Sequence, residues 1–135
     1  MLKAVTSALS IAREDWDRLA NPQGSEFNPL VSHDFFRCVE DSACAVAQTG
    51  WSPRHLVMED ADRITGIVPC YRKRHSQGEY VFDYGWADAY ERAGGRYYPK
   101  MQVSVPFSPV TGPRLLAETE AQRSELASGL IALCT

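Results

Sequence analysis

The sequence predicts an α+β fold, a mixed and mainly antiparallel sheet flanked by helices, in one domain over residues 1–135. Three observations carry this. Apolar runs at residues 54–59 and 63–74 flank the short acidic turn Asp60, Ala61 and Asp62, the pattern of a hairpin. Apolar residues recur at helical spacing near both ends of the chain and before the hairpin. A composition of 44% hydrophobic and 23% charged residues over 135 positions suits a globular domain able to bury a core.

The elements follow in order. Residues 2–6 alternate loosely and begin a strand, and Ile11, Trp16, Leu19 and Ala20 form the apolar stripe of a short helix closed by Asn21 and Pro22. Residues 23–26 are a loop. A second helix starts near Ser32, whose hydroxyl is placed to cap free amides, and turns Phe35, Phe36, Val39 and Ala43 to the core before ending ahead of Gly50. In the returning strand of the hairpin Pro69 removes one backbone donor, which marks an edge, a bulge or a local opening. Residues 79–84 read as a strand, 86–93 as two helical turns stopped by Gly94 and Gly95, and 101–107 as a further strand. Pro109, Gly112 and Pro113 make 108–113 a loop, and 118–133 form a last helix with Leu126, Leu130 and Leu133 on one side. No segment repeats and no low-complexity linker divides the chain.

Charge and cysteine usage narrow the function classes. A formal net charge of −3 argues against a phosphate-tracking surface, so DNA is not an expected partner. Cys38, Cys44, Cys70 and Cys134 contain no CxxC pair, so no metal site is indicated and reduced thiols in the cytoplasm are expected. Residues 1–12 lack the apolar block of a signal peptide, and no run approaches the ~20 apolar residues of a membrane span.

Candidate chemistry concentrates between Tyr80 and Arg114, where rings, basic residues, prolines and glycines crowd together more than a plain core element requires. Tyr97, Tyr98 and Lys100 surround Pro99; the two rings are read either as ligand contacts or as half-buried packing. Arg114 follows Gly112 and Pro113, where a guanidinium can grip an anion or anchor its own loop. Asp83 and Asp88 are the nearest acids, each a base if burial raises its proton affinity and otherwise a surface or capping group. Tyr97, Lys100 and Arg114 are expected to line one concave surface beside the strand at 101–107. His33 and Asp34 fall in the first turn of a helix, where capping accounts for Asp34, and His55 and His75 have no partner at ligand spacing. Arg72, Lys73 and Arg74 read as a solvated strand end or an anion site.

The segments at 28–36 (Asn-Pro-Leu-Val-Ser-His-Asp-Phe-Phe), 54–59, 66–71, 76–83, 97–100 and 106–114 (Pro-Phe-Ser-Pro-Val-Thr-Gly-Pro-Arg) resemble the start of the FemAB-like, peptidoglycan-biosynthesis-type family, placed among the Gcn5-related N-acyltransferases. The resemblance spans nearly the whole chain and implies a sheet flanked by helices in the order given above, a GNAT-like half-fold. It further implies the N-terminal half of a longer protein, with a second half missing, that moves an acyl or aminoacyl group to an amine of a peptidoglycan precursor or other small molecule. The acyl donor would be a CoA thioester or an aminoacyl-tRNA. CoA-dependent relatives hold the pyrophosphate in a glycine-rich turn that leads into a helix; here Thr111-Gly-Pro-Arg114 offers one glycine and a proline without an amide hydrogen, so no bound cofactor is expected. On this reading Asp83 or Asp88 is the base, and Tyr97 or Tyr98 a proton donor or stacking platform. Trp86 is a further substrate contact, and Lys100 and Arg114 are anion clamps. The alternative is a non-catalytic half that recognises a glycan or peptide for an active partner half.

Overall fold

The computed structural model describes residues 1–135 and shows an α+β fold built on two antiparallel sheets. The strands are β1 (Leu2–Val5), β2 (Trp51–Pro53), β3 (His55–Asp60), β4 (Arg63–Val68), β5 (Tyr71–Lys73), β6 (Lys100–Gln102) and β7 (Leu116–Ala117). The α-helices are α1 (Arg13–Ala20), α2 (His33–Asp41), α3 (Tyr84–Arg92) and α4 (Glu120–Cys134). The larger sheet has the order β1-β3-β4-β7, so the expected hairpin lies at its centre, with Leu56 opposite Val68 and Asp60 opposite Arg63. The smaller sheet has the order β2-β5-β6.

One long bent hairpin supplies both sheets. The run 63–74 does return along its partner, but it breaks at Pro69 and Cys70 and continues into the second sheet, while the partner strand changes sheet at Arg54. Pro69 has no amide hydrogen for a ladder. The Arg54 amide still donates to the Cys70 carbonyl at 2.8 Å, whereas the Cys70 amide donates to Nδ1 of His55 at 3.1 Å. The imidazole thus replaces a backbone acceptor at the bend. Because Nδ1 accepts, the ring proton sits on Nε2, which donates to Oε1 of Glu40 at 3.0 Å.

Side-chain alternation on β3 and β4 sorts the core into two layers. Val57 and Ile67 face α1 and α2 and join Trp16, Phe36, Trp51 and Tyr71, while Leu56, Met58 and Val68 face α4 and Leu126. Trp16 is fully buried and its indole donates to the Val31 carbonyl at 2.9 Å. Phe36 and Val39 are buried against the sheet as expected, with Phe35 partly buried beside them. β4 carries Gly66 where α4 comes closest; a Cβ there would stand 2.8 Å from Leu126 Cδ1.

Several local expectations are corrected. Ser32 does not cap α2, because its hydroxyl donates to the Pro29 carbonyl; Asp17 of α1 accepts the His33 amide instead. Asp34 pairs with Arg13 and Arg37. α2 stops at Asp41, and Ala43, expected on its apolar face, is exposed with φ of 59°. Residues 79–84 are not a strand: Tyr80 takes φ of 57°, and Glu79 and Asp83 turn inward toward a lysine. The strand expected at 101–107 is limited to Lys100–Gln102, after which Phe107, at φ of 63°, donates its amide to the Gly78 carbonyl. α4 begins at a capping box in which Thr119 and Gln122 bond each other's amides, a signal legible as Thr-x-x-Gln. Its last leucine, Leu133, is 37% exposed.

Candidate functional site

The side chains between Ser76 and Lys100 converge on one ammonium group. The register of the small sheet aligns Trp51, Lys73 and Lys100 across three strands, so these three share a face. Lys73 is fully buried, with Nζ 3.7 Å from the centroid of the Trp51 ring and donating to the Gln77 carbonyl at 2.8 Å. Its ammonium is 3.8 Å from Glu79. Burial pulls its pKa down to about 8, an effect that the nearby Glu79 charge only partly offsets.

Lys100 is the hub. Nζ pairs with Glu79, whose side chain is almost wholly buried, and donates to Asp83 Oδ2 at 2.5 Å and to the Ser76 hydroxyl at 3.1 Å. The Tyr97 hydroxyl donates to the same Asp83 oxygen at 2.7 Å, and the Ser76 and Tyr98 hydroxyls are 2.5 Å apart. Burial alone would raise Asp83, but hydrogen bonds from Lys100, Ser76 and Tyr97 outweigh it and hold the carboxyl at about 2. The bond to Asp83 raises Tyr97. Burial works to lower Lys100, yet Asp83 and Glu79 prevail and raise it. At neutral pH the cluster is a fixed ion-pair network: Asp83 is ionised, Lys100 is charged and Tyr97 is protonated.

The segment beside this network carries exposed rings. Tyr80, Phe82, Tyr84, Trp86 and Tyr90 are each about half or more exposed, with Trp86 at 77%. Only Ala87 of α3 is buried, so the helix rests on the body by one side and leaves its rings in water. Phe82 and Tyr84 stack with centroids 6.4 Å apart, and Tyr90 meets Tyr97 edge-on at 6.1 Å. Tyr97 in turn meets Tyr98 at 5.1 Å, which ties the rings to the Lys100 network.

The structure brings Asp83, Tyr97, Tyr98 and Lys100 together and places Trp86 and Asp88 on the exposed surface of α3 beside them. Arg114 stands apart. Its guanidinium donates to the carbonyls of Val110 and Gly112 in its own loop, and it lines a small hollow with Val31, Phe36 and Pro69. It shares no hydrogen bond or ion pair with Tyr97 or Lys100, so the loop-anchor role is the one its geometry fills. Thr111 to Arg114 lead into the two-residue strand β7 rather than a helix, and the residues there do not form a pyrophosphate-binding helix start. Sequence reasoning missed Glu79 and Ser76, and it read Lys73 as part of a solvated strand end or an anion site, whereas its side chain is buried. The alternation of Arg72, Lys73 and Arg74 was the available signal for Lys73, since on a strand its neighbours' exposure places it inside.

Comparison with known proteins decides the family. A FemAB-like family model, described as peptidoglycan biosynthesis/recognition, matches residues 7–135. The chain belongs to the FemAB-like family. Neither the curated proteins nor the solved structures contain a match to it. For this FemAB-like chain the family supports a cell-wall role, and no helix is long and apolar enough to cross a membrane.

Proposed function

We propose that this FemAB-like chain is the acceptor-holding, N-terminal part of an N-acyltransferase-type enzyme that moves an acyl or aminoacyl group to an amine of a cell-wall precursor in the cytoplasm. The observation that carries this reading is the set of exposed rings at 80–90 beside the Lys100 network. Rings at 54–79% exposure, such as Trp86, Phe82 and Tyr90, cost free energy in water unless a ligand covers them. Flat ring faces suit sugar rings and extended peptide. Acyl transfer to an amine needs an orienting surface, a proton acceptor and a donor for the developing oxyanion. The rings supply orientation. Asp83 is held ionised by three donors and serves as an electrostatic brace rather than a base at neutral pH. Asp88, exposed on α3 and free of ion pairs, keeps the base role open within this chain.

A second reading, recognition without chemistry, is favoured by a specific observation: the ionised groups of the network neutralise one another. The two readings separate in one experiment with a soluble disaccharide-peptide precursor and labelled CoA thioester or aminoacyl-tRNA. Binding with transfer of label to the precursor amine supports the enzyme reading. Binding without transfer supports recognition alone, and no binding contradicts both.

A further inference from the structure

The outer face of the small sheet carries a second concentration of charge, and it is of one sign. Ser52, Arg72 and Met101 are register partners across β2, β5 and β6, and they alternate with Trp51, Lys73 and Lys100, which face inward. Arg54 follows β2 on the same outer side. Arg54 and Arg72 line a groove of about 330 Å³ together with Pro99, Lys100, Met101 and the α4 residues Leu133 and Cys134. No acid lines it. Both arginines are exposed, and neither guanidinium makes a hydrogen bond or an ion pair. Neighbouring Arg74 shows the contrast, because it is committed to the carbonyls of Ala47 and Gln48. Lys100 borders the groove, but Glu79 and Asp83 already neutralise it.

We propose that this groove binds the diphosphate or phosphate group of a small organic ligand. Two unpaired guanidiniums, Arg72 on β5 and Arg54 at the bend between β2 and β3, present forked donors, the geometry that matches phosphate oxygens two at a time. Two charges balance the two of a diphosphate diester, and Met101, Pro99 and Leu133 supply an apolar flank for the attached organic group. The inference is independent of the acyl-transfer reading, since the arginines face away from the Trp51 and Lys73 side of the sheet.

The test is an NMR titration of the chain with pyrophosphate, then with CoA and with UDP as two small diphosphate sources, using acetate and a short RNA as comparisons. Saturable shifts at Arg54, Arg72 and Met101 are expected. R54Q and R72Q should each raise the pyrophosphate Kd at least tenfold, R54K and R72K less, and R37Q on α2 not at all. Tighter binding of CoA or of UDP than of pyrophosphate identifies which organic group the apolar flank accepts. Absence of pyrophosphate binding, equally tight acetate binding, RNA binding alone, or an equal loss in R37Q overturns the proposal.

Discussion

The Lys100 ammonium and the Asp83 carboxylate meet at 2.5 Å, with the Asp83 oxygen that accepts from Lys100 also taking the Tyr97 hydroxyl. Lys100 further neutralises Glu79, whose side chain is 1% exposed. Lys100→Met would leave Asp83 without its counter-ion and the buried Glu79 with only Lys73, 3.8 Å away. It should destabilise the chain by about 3–5 kcal/mol in urea denaturation. The triple variant Lys100→Met, Glu79→Gln, Asp83→Asn should recover a large part of that loss, and failure to recover any would mean that packing of the lysine stem, not charge, holds the loop.

Acid should undo two carboxylates together. Asp83 titrates at about 2 against an ordinary 3.8, and Glu40 lies below its ordinary 4.5 because bonds from His55, Ala8 and Ser7 outweigh its burial. Depressed folded-state values mean that the unfolded chain binds more protons in this window, so stability is present above pH 4.5 and is lost as pH falls through the folded values. Thermal melts between pH 5 and pH 2 should therefore show a falling Tm. The gap between the parent and Asp83→Asn should narrow over that range, and a constant gap would count against the network.

Lys73 has the opposite consequence at high pH. Its folded value of about 8 is below the ordinary 10.5, so a charged Lys73 weakens the fold below pH 8 and the penalty is relieved as pH rises from 8 toward 10.5. Burial raises Cys70 to about 12, which works against stability above pH 9 in any variant, so the informative quantity is a difference. Relative to Lys73→Met, the parent should gain stability between pH 8 and 10.5. A flat difference in guanidinium denaturation across that window would show that Lys73 is not held in a low-dielectric site.

Much of this frame was legible in the chain, and the failures have physical causes. The hairpin, α1, α2 and α4 followed from apolar spacing because their faces pack into the two core layers on either side of the sheet. Pro69 announced a local opening, though not that both strands would change sheet there with His55 standing in as acceptor. Residues 79–84 misled because the rings Tyr80, Phe82 and Tyr84 alternate with Glu79, Val81 and Asp83 as on a strand, while the ion pairs to Lys100 come from a residue seventeen or more positions away. Tyr97, Tyr98, Lys100 and Asp83 were recognisable by composition. Arg114 stayed open between an anion grip and a loop anchor, because nothing local reveals which loop carbonyls a guanidinium will find.

Packing between β4 and α4 gives a further check. An added Cβ at Gly66 would lie 2.8 Å from Leu126 Cδ1 and 3.0 Å from Met58 Cε. Gly66→Ala should cost about 1–3 kcal/mol by overpacking. Leu126→Ala should cost about 2–5 kcal/mol by opening a cavity. The double variant should be more stable than the sum of the two losses predicts, since the new methyl occupies space that the leucine vacates; strict additivity in a double-mutant cycle would place the two residues out of contact.

The central claim is that the exposed rings beside the Lys100 network hold a cell-wall precursor. The most direct measurement is the affinity of a soluble disaccharide-pentapeptide for the chain and for Trp86→Ala, by isothermal calorimetry alongside NMR mapping. Saturable binding is predicted, with shifts at Phe82, Tyr84, Trp86 and Tyr90. Trp86→Ala should lose at least ~1 kcal/mol, about fivefold in Kd, as removal of an anchoring ring does. Binding that maps elsewhere on the chain, or an affinity that Trp86→Ala leaves unchanged, would contradict it.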